Sequence, residues 1–145
     1  MKRIMLAVFA AAALLSPASA QDTKSDLVTI VTSPEAQTQL MAMVLTMQAA
    51  QQGKTPYILL CGPGGDIALK DAPESATTGQ PPQDMSPQGL MQMIREKTGA
   101  TVEVCAIYLP GKGLEPSALL DGVTVAAPAA MAGRLIEPGI TVLSF

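Results

Sequence analysis

Leu27–Asp66 reads LVTIVTSPEAQTQLMAMVLTMQAAQQGKTPYILLCGPGGD, and this stretch decides the fold. LVTIV (Leu27–Val31) is a short β-branched apolar run, the composition of a buried strand. Ser33-Pro34-Glu35 follows in the order of helix cap, first-turn proline and first-turn acid. A helix is therefore predicted from Pro34 to about Gln52, with Ala36, Leu40, Met43, Val44 and Met47 at helical spacing and Gly53 as its left-handed end. Tyr57–Leu60 is a second apolar strand, and Cys61-Gly62-Pro63-Gly64-Gly65-Asp66 is a glycine-rich turn beyond it. Strand, helix and strand in this order make a crossover unit, the connection that parallel pairing requires.

The pattern continues downstream. Ile67–Lys70 can form a short helical turn, and Asp71–Met85, with Pro73, Gly79, Pro81 and Pro82, reads as a surface loop. Ser86-Pro87 caps a helix that runs to about Thr98 and closes at Gly99, and Thr101–Ile107 (TVEVCAI) is a third strand. Tyr108–Gly113 turns away, and Glu115-Pro116 opens a short helix ending at Asp121-Gly122. Val123–Ala126 is a fourth strand, Pro128 starts a helix to about Ile136, and Thr141–Phe145 is a fifth strand. Five short apolar strands alternating with helices predict an α/β fold of three layers: a five-stranded, mainly parallel sheet, its strands buried on both faces, with helices on both sides. Residues 21–145 are enough for one domain and show no internal repeat.

The first residues, MKRIMLAVFAAAALLSPASA, are two cations, an apolar run Ile4–Leu15, a helix-breaking Ser16-Pro17 and the small residues Ala18-Ser19-Ala20. This is the pattern of a secretory signal peptide over residues 1–20, with the mature chain expected to begin at Gln21. The run falls short of the ~20 residues that span a bilayer, so no membrane association is expected after cleavage. The expected location is periplasmic or secreted, where thiols can be oxidised.

Composition excludes several chemistries. The chain has no histidine and no tryptophan, and only 3% of its residues are aromatic. Without imidazole there is no Ser-His-Asp or Cys-His hydrolase, no histidine metal site and no proximal haem ligand of the usual kind. Two cysteines are too few for a four-cysteine zinc or iron–sulfur site. The net charge of −3 becomes more negative once Lys2 and Arg3 are left out, so nothing favours nucleic acid. The methionines suit copper(I) in principle, but Met43 and Met47, like Met91 and Met93, also fill a core poor in aromatics; no metal and no cofactor is expected.

Covalent chemistry thus rests on Cys61 and Cys105. Each falls in the second half or at the end of a predicted strand, on the side of the sheet where α/β folds bind ligands. If the two strands are neighbours, a spacing of about 4.8 Å brings the cysteines within disulfide range, provided the register agrees. Register is not written in the sequence, so two free thiols and a bridge both remain open. The turn after Cys61 could present amides to an anion through Gly62, Gly64 and Gly65, or could simply be a compact turn beside a structural thiol. It matches neither the P-loop nor the dinucleotide fingerprint. Cys105 read alone is equally a small core hydrophobe.

The segment ATVEVCAIYLPGKGLEPSALLDGVTVAAPAAMAGRLIEPGITVLSF resembles the second half of the DsrE/DsrF-like family of small sulfur-relay proteins. It has a strand carrying cysteine, a glycine loop, a short helix, a GV-x-V strand, a helix and a closing strand. Upstream, ILLCGPGGDIALKD is similar to the strand and turn before the variable loop of secreted members. The resemblance spans about Leu27 to Phe145. It implies a DsrE-like, flavodoxin-like architecture, and it implies that Cys105 carries a persulfide passed between a sulfur donor and an acceptor protein. It also implies a homo-oligomer, a trimer or hexamer. The chain departs from the relay pattern in its leader and in Cys61, a second thiol or disulfide partner whose bridge to Cys105 would silence the nucleophile. Lys112 and Tyr108 are candidates to tune the thiol, although neither belongs to a family motif. The competing readings are an assembly module with structural cysteines and a thiol-redox protein, the latter without a C-x-x-C motif.

Overall fold

The computed structural model describes residues 26–145; the leader and the start at Gln21 lie outside the described residues. Five strands, β1 (Leu27–Val31), β2 (Pro56–Leu60), β3 (Thr101–Cys105), β4 (Thr124–Ala126) and β5 (Thr141–Ser144), form one sheet in the order β4-β3-β2-β1-β5. Every pairing is parallel, as the alternation of strands and helices requires. Helices α1 (Ala36–Gln51), α2 (Glu74–Thr77), α3 (Pro87–Thr98), α4 (Tyr108–Lys112) and α5 (Pro128–Leu135) connect them, with 3₁₀ turns at Gly62–Ala68 and Pro116–Ala118.

One face of the sheet carries the larger core. Met43 of α1 and Met91 and Ile94 of α3 pack on Val31, Ile58, Leu60, Val102 and Val104, and all of these are essentially inaccessible. Among the described residues, α5 is the helix that covers the opposite face, through Met131 and Leu135 against Val28, Tyr57 and Leu59. The methionines considered for copper are core residues or pack against the core, and no group of three or more His, Cys, Asp or Glu suited to a metal occurs among the described residues.

Several boundaries differ from the sequence expectation for local reasons. Helix α1 starts two residues later than predicted because Glu35 is its cap: the carboxylate accepts from the amides of Gln37 (3.1 Å) and Thr38 (2.7 Å). Those two amide bonds hold the Glu35 carboxyl below the usual carboxylate range. Its buried stripe includes two polar residues, Gln39 and Thr46. The Thr46 hydroxyl donates to the carbonyl of Ala42 (2.7 Å) and meets the hydroxyl of Thr29 at 2.7 Å. Helix α3 matches its prediction, with Ser86 capping it and Gly99 closing it at φ 69°, a left-handed angle that glycine adopts without steric cost.

The turn after Cys61 is a 3₁₀ helix through Ala68, and Tyr108–Lys112 forms a single helical turn. The helix expected to reach Asp121 is one 3₁₀ turn, because Leu119 turns extended to bridge Leu69. The 71–85 loop contains α2, buried through Ala76, and a bridge between Gln80 and Met85. Strand β3 ends at Cys105, where pairing with β4 ends, so Ile107 leaves the sheet and is 81% exposed. Burial on both faces holds for β1 and β2 only. Strand β3 alternates, and the edge strands leave one valine exposed on each face, Val125 on the face of Val104 and Val142 on the face of Val28.

Candidate functional site

Adjacency of β2 and β3 brings the two cysteines together. The register pairs Leu60 with Val104, so the next residues, Cys61 and Cys105, stand side by side at the carboxyl ends of their strands. They form a disulfide with Cα atoms 5.0 Å apart. It closes a loop of 44 residues in sequence, worth about 4 kcal/mol of denatured-state entropy. Both sulfurs lie on the α5 side of the sheet at the rim of the smaller core, and both cysteines are partly exposed.

A second, non-covalent clasp joins the segments that follow the cysteines. Asp66, at the end of the glycine turn, accepts a hydrogen bond from the Tyr108 hydroxyl (2.7 Å) and pairs with Lys112 (2.5 Å). The Lys112 ammonium also lies 5.6 Å from the centre of the Tyr108 ring, within cation–π range. Burial, together with the Asp66 carboxylate that needs the phenolic proton, raises the Tyr108 pKa well above its usual value. Tyr108 and Lys112 therefore address Asp66, a residue the sequence reading left out. Its only signal was a carboxylate at the end of an otherwise uncharged glycine turn.

The glycines serve this packing. A Cβ on Gly65 would stand 2.5 Å from the Tyr108 ring, and one on Gly64 would stand 2.6 Å from the carbonyl carbon of Val31. Both glycines are buried, whereas Gly62 (φ +51°) is exposed, with open space where a side chain would stand. The backbone beside Gly64 and Gly65 is thus occupied by protein atoms. The hydrogen bond from the Cys61 amide to the Val31 carbonyl (2.9 Å) anchors the turn to the neighbouring strand β1.

On the face shared with the sulfurs, a polar brace holds the sheet. The Tyr57 hydroxyl donates to Glu103 Oε2, the Thr124 hydroxyl donates to Glu103 Oε1 (3.0 Å), and the Arg134 guanidinium lies 4.4 Å from the centre of the Tyr57 ring. Burial and the Glu103 carboxylate keep the Tyr57 phenol protonated far above its ordinary pKa. The alternation of TVEVC places Glu103 on the face of Cys105; that period was the available sign of this brace.

Two grooves lie elsewhere. A polar one of about 290 Å³ is lined by Lys70, Arg95, Glu96 and Asp121. An apolar one of about 640 Å³ runs between α1 and the 80–85 loop, past Met41, Met47 and Met85. Neither is lined by a cysteine. The disulfide sits at the carboxyl ends of β2 and β3, partly exposed.

No protein-family model matches the chain, and no curated protein does. Solved structures do. The ychN protein from E. coli is similar with a TM-score of 0.65 and 15% identity, covering 83% of this chain and 99% of that one. MTH1491 from Methanobacterium thermoautotrophicum, a protein of unknown function, is similar with a TM-score of 0.61 and 12% identity over the same shares. Both have the DsrE-like fold, and the likeness establishes that fold for this chain.

Proposed function

We propose that this protein is a sulfur carrier that holds sulfane sulfur on Cys105 as a persulfide, outside the cytoplasm. The Cys105 thiolate attacks the outer sulfur of a donor persulfide, forming Cys105–S–SH and releasing the donor thiolate. An acceptor thiolate then takes that outer sulfur and returns Cys105 as thiolate. No electrons enter or leave in either step. The observation that carries the reading is the placement of the only two cysteines at adjacent carboxyl strand ends, partly exposed and away from both grooves. Such a site suits a protein donor and acceptor better than a free metabolite. Homo-oligomerisation belongs to the same reading, supported by the thinly covered α5 face with Ile136 82% and Val142 43% exposed.

The test uses the Cys61→Ala protein, in which Cys105 is free. Offered polysulfide, it should gain one sulfur in intact mass, located at Cys105 by peptide mapping, and pass it to an added thiol. Cys105→Ser should gain none. A second reading, dithiol–disulfide exchange without sulfur transfer, is favoured by the bridge itself. It takes over if Cys61→Ala acquires no sulfur while the wild-type pair cycles between thiol and disulfide.

A further inference from the structure

Persulfide carriage at Cys105 needs a free thiolate, yet the chain's two cysteines are joined to each other. Reducing the bridge first would call for a separate reductant. The geometry points to a more direct entry: we infer that the closed Cys61–Cys105 bridge is itself a sulfur-loading form, and that its substrate is hydrosulfide. This rests on Cys105 being the carrier cysteine.

The step balances without a further reagent. Hydrosulfide attacks the Cys105 sulfur, a new S–S bond forms, the bridge bond breaks, and the electron pair leaves on Cys61 as thiolate. The product is Cys105–S–SH beside a free Cys61, so the incoming sulfide is oxidised to sulfane sulfur and the protein disulfide is the oxidant. In the reverse direction the Cys61 thiolate attacks the inner sulfur of the persulfide, restores the bridge and expels hydrosulfide. Cargo is retained only as long as sulfide is abundant or an acceptor removes the outer sulfur.

Three observations support this. The bridge lies at the sheet rim, packed against the edge of the smaller core, with both cysteines partly exposed. The two strands stay paired without it, through the register from Tyr57 with Thr101 to Leu60 with Val104. The segments beyond the cysteines remain clasped by Asp66, Tyr108 and Lys112. Opening the bridge therefore leaves the two sulfurs neighbours, which both directions of the exchange require.

The experiment offers sodium sulfide, without oxygen, to the oxidised full-length mature protein, traps thiols and persulfides by alkylation, and reads intact mass and peptide maps. Wild type should gain one added sulfur at Cys105 together with an alkylated Cys61, in proportion to sulfide, and lose both when sulfide is removed before trapping. Cys61→Ala has no bridge to open, so sulfide should leave it unloaded while polysulfide still loads it. A wild-type bridge that survives excess sulfide, an added sulfur on Cys61, or equal loading of Cys61→Ala by sulfide would overturn the inference. So would loss of the folded circular-dichroism spectrum on bridge opening. Failure of polysulfide to load Cys61→Ala instead removes the carrier reading beneath it.

Discussion

Substituting Gly64 by alanine tests how firmly the turn after Cys61 is seated on strand β1. The new methyl would stand 2.6 Å from the Val31 carbonyl carbon and 3.0 Å from the Thr32 amide nitrogen, and nearer still to the Val31 oxygen. Comfortable carbon contacts begin at about 3.5 Å, so the turn and strand β1 must part by roughly 1 Å. Both sides of the clash are backbone, and the same Val31 carbonyl accepts the Cys61 amide; no side-chain rotation relieves it. Overpacking of this kind costs about 1–3 kcal/mol, and the absence of any soft neighbour puts Gly64→Ala at the upper end, near 3 kcal/mol. Gly62→Ala is the internal control. Its Cβ meets nothing, and only the left-handed angle is penalised, at about 1–2 kcal/mol. Urea unfolding of both variants, each oxidised, reads the difference directly. Equal midpoints for the two variants would refute the packing argument.

Other expectations follow from the buried polar groups. The chain's two tyrosines both have raised pKa values in the folded state, so their stabilising effect is complete below the ordinary phenol pKa of about 10 and is lost as pH rises beyond it. Tyrosinate absorbance should stay low past that pH and appear together with loss of secondary structure; smooth titration in the folded protein would contradict the Glu103 and Asp66 contacts. Thr46 donates to Ala42, which leaves Thr29 to donate to Thr46 in a site closed to water. Thr46→Val should then cost about 1–3 kcal/mol, and adding Thr29→Val should recover part of it in a double-mutant cycle. Strictly additive costs would mean the hydroxyls are not coupled.

The sheet was legible because its punctuation is local. Ser86-Pro87 and Gly99 bound α3 where predicted, and the apolar runs Leu27–Val31 and Tyr57–Leu60 could be little other than buried strands. Juxtaposition of the cysteines was only conditional, since it needed the β2–β3 register, which is set by packing. The clasp was out of reach for the same reason: Asp66 and Tyr108 are 42 residues apart, and each sits in a turn whose shape depends on the other. Gln39 and Thr46 broke the apolar stripe of α1 because their hydrogen bonds are tertiary or to nearby backbone, to Ser33, Ala42 and Thr29, which spacing cannot reveal.

Strand β1 is an interior strand of the sheet, between β2 and the edge strand β5, but its two neighbours come from very different distances along the chain. Its pairing with β2 is available early, whereas β5 arrives from the far end, and the contact between Thr32 and Phe145 spans 113 residues. Non-local pairing of this kind is closed late, because its loop entropy must be met before the contact contributes anything. A nascent chain emerging from its amino end therefore leaves one edge of β1 open until the last strand is present. Unpaired edges of this kind invite association between chains, so the interval before β5 docks is when this protein is most exposed to aggregation.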